Sequence, residues 1–176
     1  PCGSGYFCGL DDICHSTGFS DLDTLSDVVD TNDTTETCTC EAGKICFEQQ
    51  CLSIVQLALG AEHSCARFDD GQIACWGDNG KYQTNPGAPT TDPVTRPQFV
   101  SFGDGAASKI CAGTSHTCAL VDKSVRCWGD NSLNQLGLAG DENTISANVY
   151  TVAQLEGDIV DIACGASHTC AVLTVA

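Results

Sequence analysis

The chain is nearly devoid of positive charge. Seven Lys and Arg stand against 23 Asp and Glu, a formal charge of −16 over 176 residues, and none of the seven precedes Lys44. A surface this acidic repels phosphate backbones and anionic lipid, so nucleic acid and membrane surfaces are poor partners, whereas cations and basic proteins suit it. No apolar run is long enough to span a bilayer. Methionine is absent, including at position 1; a signal peptide, if one existed, is expected either to have been removed or to lie outside this sequence. The close C-x-x-C pairs of most zinc sites are missing, as is a G-x-S-x-G nucleophile elbow.

Cysteine, by contrast, is abundant. Fourteen in 176 residues approaches the density of a disulfide scaffold and points to an oxidising compartment: extracellular space, cell surface or secretory lumen. Seven of them fall in residues 1–51, where "CGSGYFCGLDDIC" (2–14) and "CEAGKICFEQQC" (40–51) share the order C-x2-G-x2-C-x4/5-C. Gly5 and Gly43 mark tight turns with positive φ. Between the two modules, Ser20 and Asp23 form a capping-box pattern ahead of Leu22, Leu25, Val28 and Val29, which predicts one short helix near 21–29. The polar stretch that follows holds an N-glycosylation sequon at Asn32.

Residues 52–176 consist of short apolar or alternating runs broken by Gly and Asp, an all-β pattern. "LALGAEHSCARF" (57–68), "ICAGTSHTCALV" (110–121) and "IACGASHTCAVL" (162–173) share G-x-x-H-[ST]-C-A, with Gly60, Gly113 and Gly165 spaced 53 and 52 residues apart. "CWGDN" also occurs twice, at 75–79 and 127–131, and contains both tryptophans of the chain. A period of this size fits one four-stranded propeller blade. The strands are expected at 54–59, 63–68, 72–76 and near 98–102 in the first unit, and at 107–112, 116–121, 124–128 and 149–154 in the second. The third unit begins with strands at 159–164 and 168–173.

Turn arithmetic pairs the cysteines. If Asp69-Asp70-Gly71 is a three-residue hairpin loop with Gly in the left-handed position, Cys65 lies opposite Cys75. If Asp122-Lys123 is a two-residue loop, Cys118 lies opposite Cys127. Residues directly opposite have Cα atoms about 4.5–5.5 Å apart, within disulfide reach. Cys111 and Cys164 stand two and one residues before their glycines, so their side chains point to opposite strand faces. That parity suits a staple between neighbouring blades.

These residues resemble the repeats of the regulator of chromosome condensation family, whose unit runs G-x-x-H-[ST]-x-A-L…W-G-x-N-x-x-G-Q-L-G. "GTSHTCALVDKSVRCWGDNSLNQLG" (113–137) carries the match, with Asn134 at the family's glycine position, and the first unit keeps "WGDN" and Gln83. The resemblance implies an RCC1-type β-propeller, incomplete in this chain, with two full units and the start of a third over 52–176. A disulfide-rich, loop-dominated region precedes it at 1–51. The resemblance also makes the Trp an anchor between blades and the Gly-Asp-Asn stretch a turn that re-aims the chain. A closed propeller of the family takes seven units, so these residues are expected to be a segment of a longer protein. Cys170, which lacks a third-strand partner, argues the same way. A neighbouring copy supplying the missing strands is the alternative.

Catalytic and metal roles find no support among the candidates. His63, His116 and His168 occupy equivalent positions a blade apart, so they do not converge as ligands; a structural role, hydrogen-bonding the loop after the glycine, is expected. No cofactor is implied. The acidic stretches "DLD", "DTNDTTE" and "GDEN" offer carboxylates to calcium but lack the glycine of an EF-hand loop. The proline-bearing stretch 80–97 reads as either a contact surface or a solvated spacer. The expected function is a non-enzymatic structural or interaction module that binds protein, copies of itself included. The alternative is a secreted propeller that binds or inhibits one specific protein.

Overall fold

The computed structural model describes residues 6–8, 14–16, 38–138, 146–152 and 157–174. The expected helix near 21–29, the sequon at Asn32 and the turn at Gly5 lie outside these. The chain divides into two compact units, Pro1–Thr37 and Cys38–Ala176. In the first, β1 (Tyr6–Cys8) and β2 (Cys14–Ser16) form an antiparallel ladder that sets Cys8 opposite Cys14.

The second unit is antiparallel β throughout its described residues. A small hairpin, β3 (Ile45–Phe47) with β4 (Gln50–Leu52), precedes two four-stranded sheets. The first sheet runs in order β5 (Ile54–Leu59), β6 (His63–Phe68), β7 (Ile73–Gly77), β8 (Val94–Phe99). The second repeats it with β9 (Ala107–Ala112), β10 (His116–Val121), β11 (Ser124–Gly129) and β12 (Ser146–Thr151). A two-stranded sheet, β13 (Asp158–Cys164) with β14 (Thr169–Thr174), begins a third. Each sheet is one blade, its strands laid side by side in chain order.

Turn chemistry sets the registers. Gly71, at φ +85°, closes the β6–β7 loop, and the Phe68 N–H donates to the Gln72 carbonyl (2.9 Å). Asp122 and Lys123 both adopt positive φ, +48° and +66°, as a two-residue hairpin with right-handed strand twist requires. Glu48 and Gln49 do the same between β3 and β4, at +45° and +64°. The second cysteine module, grouped from sequence with the N-terminal region, belongs in the structure to the same compact unit as the blades. The reason is aromatic: Phe47 packs against Phe68 and Phe99, ring centroids 5.6 Å and 4.7 Å away, and Leu52 is buried beside them.

The fourth strands depart most from expectation. β8 spans 94–99 rather than 98–102, and β12 spans 146–151 rather than 149–154. β8 is an edge strand and contains Pro97, whose missing N–H an edge tolerates. Both fourth strands also carry a register irregularity against the preceding strand, between Cys75 and Gly77 and between Cys127 and Gly129, which local periodicity does not foreshadow.

The core lies between blades. Ala58, Cys65, Ile73 and Cys75 of the first blade, with Val100 and Phe102, meet Ala107, Ile110, Ala119, Val121 and Trp128 of the second. The other face of the second blade, through Cys118, Leu120, Val125 and Cys127, meets Ile159 and Ile162 of the third. The second blade thus buries two faces, and its strand β10 is buried along its whole length.

Candidate functional site

The chemistry-bearing residues of the repeat gather at the seams between blades. His63 is buried, and its ring fills the space a Cβ at Gly60 would need; His116 does the same at Gly113. Those glycines also lie against the carbonyls of Gly113 and Gly165, one blade further on, so close approach on two sides explains the Gly of the motif.

The imidazoles do not bond the loop after the glycine through their ring nitrogens. His63 Nε2 lies 2.9 Å from Thr117 Oγ1, and His116 Nε2 lies 3.1 Å from Thr169 Oγ1, each on the second strand of the next blade. The threonine hydroxyls donate onward to main-chain carbonyls, Thr117 to Gln83 and Thr169 to Gln135, both at 2.9 Å. A carbonyl only accepts, so each hydroxyl proton is committed and its lone pair takes the histidine Nε2–H. That makes Nε2 the protonated nitrogen facing threonine in both rings. The Nδ1 atoms of both have no hydrogen-bond partner. Burial, with His116 nearby, lowers the His63 pKa to about 4, and burial likewise lowers that of His116, against the opposing pull of Asp130.

The Gly-Asp-Asn turn delivers the accepting carbonyl. Asp78 takes N–H groups of Gly80 and the Gln83 side chain, and the Gln83 amide oxygen takes the Lys81 N–H (2.7 Å). Asn79 Oδ1 accepts from Thr84 N, Thr84 Oγ1 and Asn85 N. Asp130, Asn131 and Gln135 repeat the arrangement: Gln135 Nε2 donates to Asp130 (2.8 Å) and the Leu136 N–H to Asn131 (3.0 Å). This polar box holds the loop so that the Gln83 carbonyl faces the second blade, where the Trp128 indole N–H also donates to it (2.9 Å). Trp128 is completely buried in that seam, whereas Trp76 is half-buried beside Phe68 and Leu52.

The cysteines stitch the hairpins within blades and one of the seams between them. Cys65 is bonded to Cys75 and Cys118 to Cys127, both across directly opposed strand positions with Cα atoms 4.1 Å apart. Cys111 is bonded to Cys164, joining the first strands of adjacent blades. In the small hairpin, Cys38 pairs with Cys46 and Cys40 with Cys51. Cys170 is an exposed free thiol. Among the described residues, two clusters bring three His or Cys ligand atoms together, Cys38/Cys40/Cys51 and His116/Cys118/Cys164. Every cysteine in them is in a disulfide, and a disulfide sulfur offers no thiolate to a metal. Polar links complete the seams: the Gln56 side chain pairs with both the N–H and C=O of Ile110, and Lys109 and Lys123 reach Asp161 and Asp158.

Sequence reasoning singled out the histidines and cysteines but missed Thr117 and Thr169. Their signal was available in the [ST] that follows each motif histidine. The stretch 80–97 begins as buried architecture, since Gln83 and Thr84 are buried, and its end at Val94 enters β8.

Two sequence profiles described as regulator of chromosome condensation (RCC1) repeat match the chain, one at residues 54–83 and 107–135 and the other at 124–172. Among curated proteins, the probable E3 ubiquitin-protein ligase HERC6 of Homo sapiens is 32% identical over 126 residues, covering 70% of this chain and 12% of the ligase. The E3 ubiquitin-protein ligase HERC2 of Homo sapiens is 34% identical over 123 residues, covering 68% of this chain and 2% of the ligase. The chain thus spans a small part of these relatives. Among solved structures, human WBSCR16 superposes with a TM-score of 0.61 at 23% identity, covering 72% of this chain and 34% of that one. Yeast RCC1 (Prp20), in its complex with Kap60, gives 0.62 at 17% identity, covering 70% and 31%. At these identities the likeness concerns the fold.

Proposed function

The chain belongs to the regulator of chromosome condensation (RCC1) repeat family, and from that premise we propose that it is an extracellular or cell-surface protein-interaction module without catalytic activity. Propeller repeats of this family make a protein-interaction scaffold, and the yeast relative is described by its binding to Gsp1p and histones. What carries the extracellular reading is the Cys111–Cys164 bond, with Cys65–Cys75 and Cys118–Cys127 in the blades it joins. A reducing cytosol would keep such pairs open, and small modules outside cells depend on them. The charge of −16 favours a basic protein surface as partner.

The non-catalytic reading is supported by how these groups are engaged: His63 and His116 are hydrogen-bonded to threonines, and ten described cysteines are in disulfides. Light scattering after size exclusion under non-reducing conditions, with and without a basic partner extract fractionated by affinity, tests the reading. A monomer that retains one or a few defined proteins from extracellular fluid supports it, and defined higher oligomers of the chain alone indicate a structural, self-assembling role. Full reduction of the blade disulfides by glutathione at cytosolic poise, with the fold intact, would count against an extracellular site.

A further inference from the structure

The described disulfides differ in their access to solvent. Cys65, Cys75, Cys118 and Cys127 are completely buried, and Cys111 and Cys164 are half-buried in the second seam. In the module around the small hairpin, Cys46 is exposed, while its partner Cys38 and the bonded pair Cys40 and Cys51 are half-buried. The two bonds of this module also touch each other. The Cys38 sulfur lies 3.5 Å from the sulfurs of both Cys40 and Cys51.

The pairing here is unlike that of the blades. Cys46 on β3 stands directly opposite Cys51 on β4, as Cys65 does to Cys75 and Cys118 to Cys127. In the blades such opposed cysteines are bonded to each other. In the small hairpin they are bonded instead to Cys38 and Cys40, which ties the preceding segment to the hairpin at two points. The seat of the hairpin on the first blade is a separate matter. It is made by Phe47 and Leu52 against the aromatic cluster and by the Gln72 side chain donating to Gln50 (3.1 Å). The tied segment starts where the second compact unit starts, at Cys38.

We propose that Cys38, Cys40, Cys46 and Cys51 form a thiol–disulfide exchange site. There a low-molecular-weight thiol converts the pairing Cys38–Cys46 with Cys40–Cys51 into Cys38–Cys40 with Cys46–Cys51. The small thiolate attacks the exposed Cys46 sulfur, the bond to Cys38 breaks, and Cys38 leaves with the electron pair as a thiolate. Cys38 attacks the Cys40 sulfur 3.5 Å away, a near-attack separation, and expels Cys51 as a thiolate. Cys51 attacks the sulfur of Cys46 opposite it, and the small thiol departs with the electron pair and takes a proton. Nothing is oxidised or reduced overall, and the thiol is regenerated. The product carries the cross-strand bond that the blades already have. Residues 38–44, pinned to the hairpin beforehand, then become linker between the two compact units, while the hairpin keeps its aromatic seat.

The test uses the whole 176-residue chain, with the free Cys170 thiol first blocked by iodoacetamide. The chain is incubated with substoichiometric reduced glutathione and quenched with N-ethylmaleimide. After denaturation, cleavage on the carboxyl side of glutamate yields peptides 37–41, 42–48 and 49–62. In the starting pairing disulfides join all three. After exchange, 37–41 comes free with its two cysteines bonded to each other, and the other two peptides stay joined. Glutathione should raise the free, internally bonded peptide about tenfold or more over a control without it, with no maleimide on Cys65, Cys75, Cys118 or Cys127. Three peptides that remain joined would overturn the proposal, whether through no exchange or through a Cys38–Cys51, Cys40–Cys46 pairing that releases nothing. Release of 37–41 with maleimide on both cysteines would show plain reduction and overturn it as well. So would labelling of the buried blade cysteines as early as those of the module.

Discussion

At the scale of single residues, His63 shows how the seam enforces one protonation state. Its Nε2–H is committed to Thr117, and its Nδ1 has no group to receive a second proton's donation. Burial and His116 push its pKa down to about 4, opposed by Asp78. The sign follows: between about pH 6.5 and 4 the unfolded chain binds a proton at this position that the folded chain refuses, so stability falls as pH drops through that window. The full effect is about 3 kcal/mol, present above pH 6.5 and lost by about pH 4. Thermal melts of wild type and His63→Gln across that range check it; the variant should be less stable at neutral pH and show a shallower pH slope. Thr117→Val leaves the His63 N–H buried without an acceptor and should cost about 1–3 kcal/mol in chemical unfolding, with Thr117→Ser restoring most of the loss. The histidine was legible as structural because it recurs once per unit. Its partner was not, because the bond from His63 to Thr117 runs between blades and a sequence motif presents only one of them.

At the scale of elements, the hairpins carry the local information best. The Asp69-Asp70-Gly71 and Asp122-Lys123 loops differ by one residue in length, and each still sets two cysteines opposite one another. Closing a loop of about ten residues contributes about 2.7 kcal/mol in the chain-entropy account. Replacing Cys118 and Cys127 together by serine should therefore lower stability by about 2–4 kcal/mol in denaturant titration. Gly71 should resist substitution for a second reason: besides its φ of +85°, a Cβ there would overlap Ala106. The first three strands of the two four-stranded blades were readable from Gly, His and Cys-Trp landmarks. The fourth were displaced because β8 enters through Arg96-Pro97, residues that read as loop, and because an irregularity separates each from its neighbour. The attachment of the small hairpin was hidden for a different reason. Phe47 meets Phe68 and Phe99, and no periodic pattern links three aromatics so far apart in the chain.

At the scale of the molecule, the blades are joined by dissimilar devices. The first seam relies on Trp128, Phe102 and the Gln56 amide, and the second adds the Cys111–Cys164 bond. That bond closes a loop of 53 residues, for which chain entropy gives about 4 kcal/mol. Replacing Cys111 and Cys164 with alanine should speed amide hydrogen exchange in β13 and β14 by about a hundredfold or more while leaving β5–β7 nearly unchanged; equal acceleration everywhere would show that the blades open as one unit. The glutamine-carbonyl link has a further consequence. The second blade presents the Gln135 carbonyl on its leading face and offers the Thr117 hydroxyl on its trailing face, so the two faces are complementary to each other and not to themselves. A contact built on this pattern is heterologous: it joins a leading face to a trailing one and cannot be satisfied by two-fold symmetry. Copies joined through blade faces would therefore line up head to tail, closing as a ring when the rotation per step permits and otherwise growing as a filament with distinguishable ends.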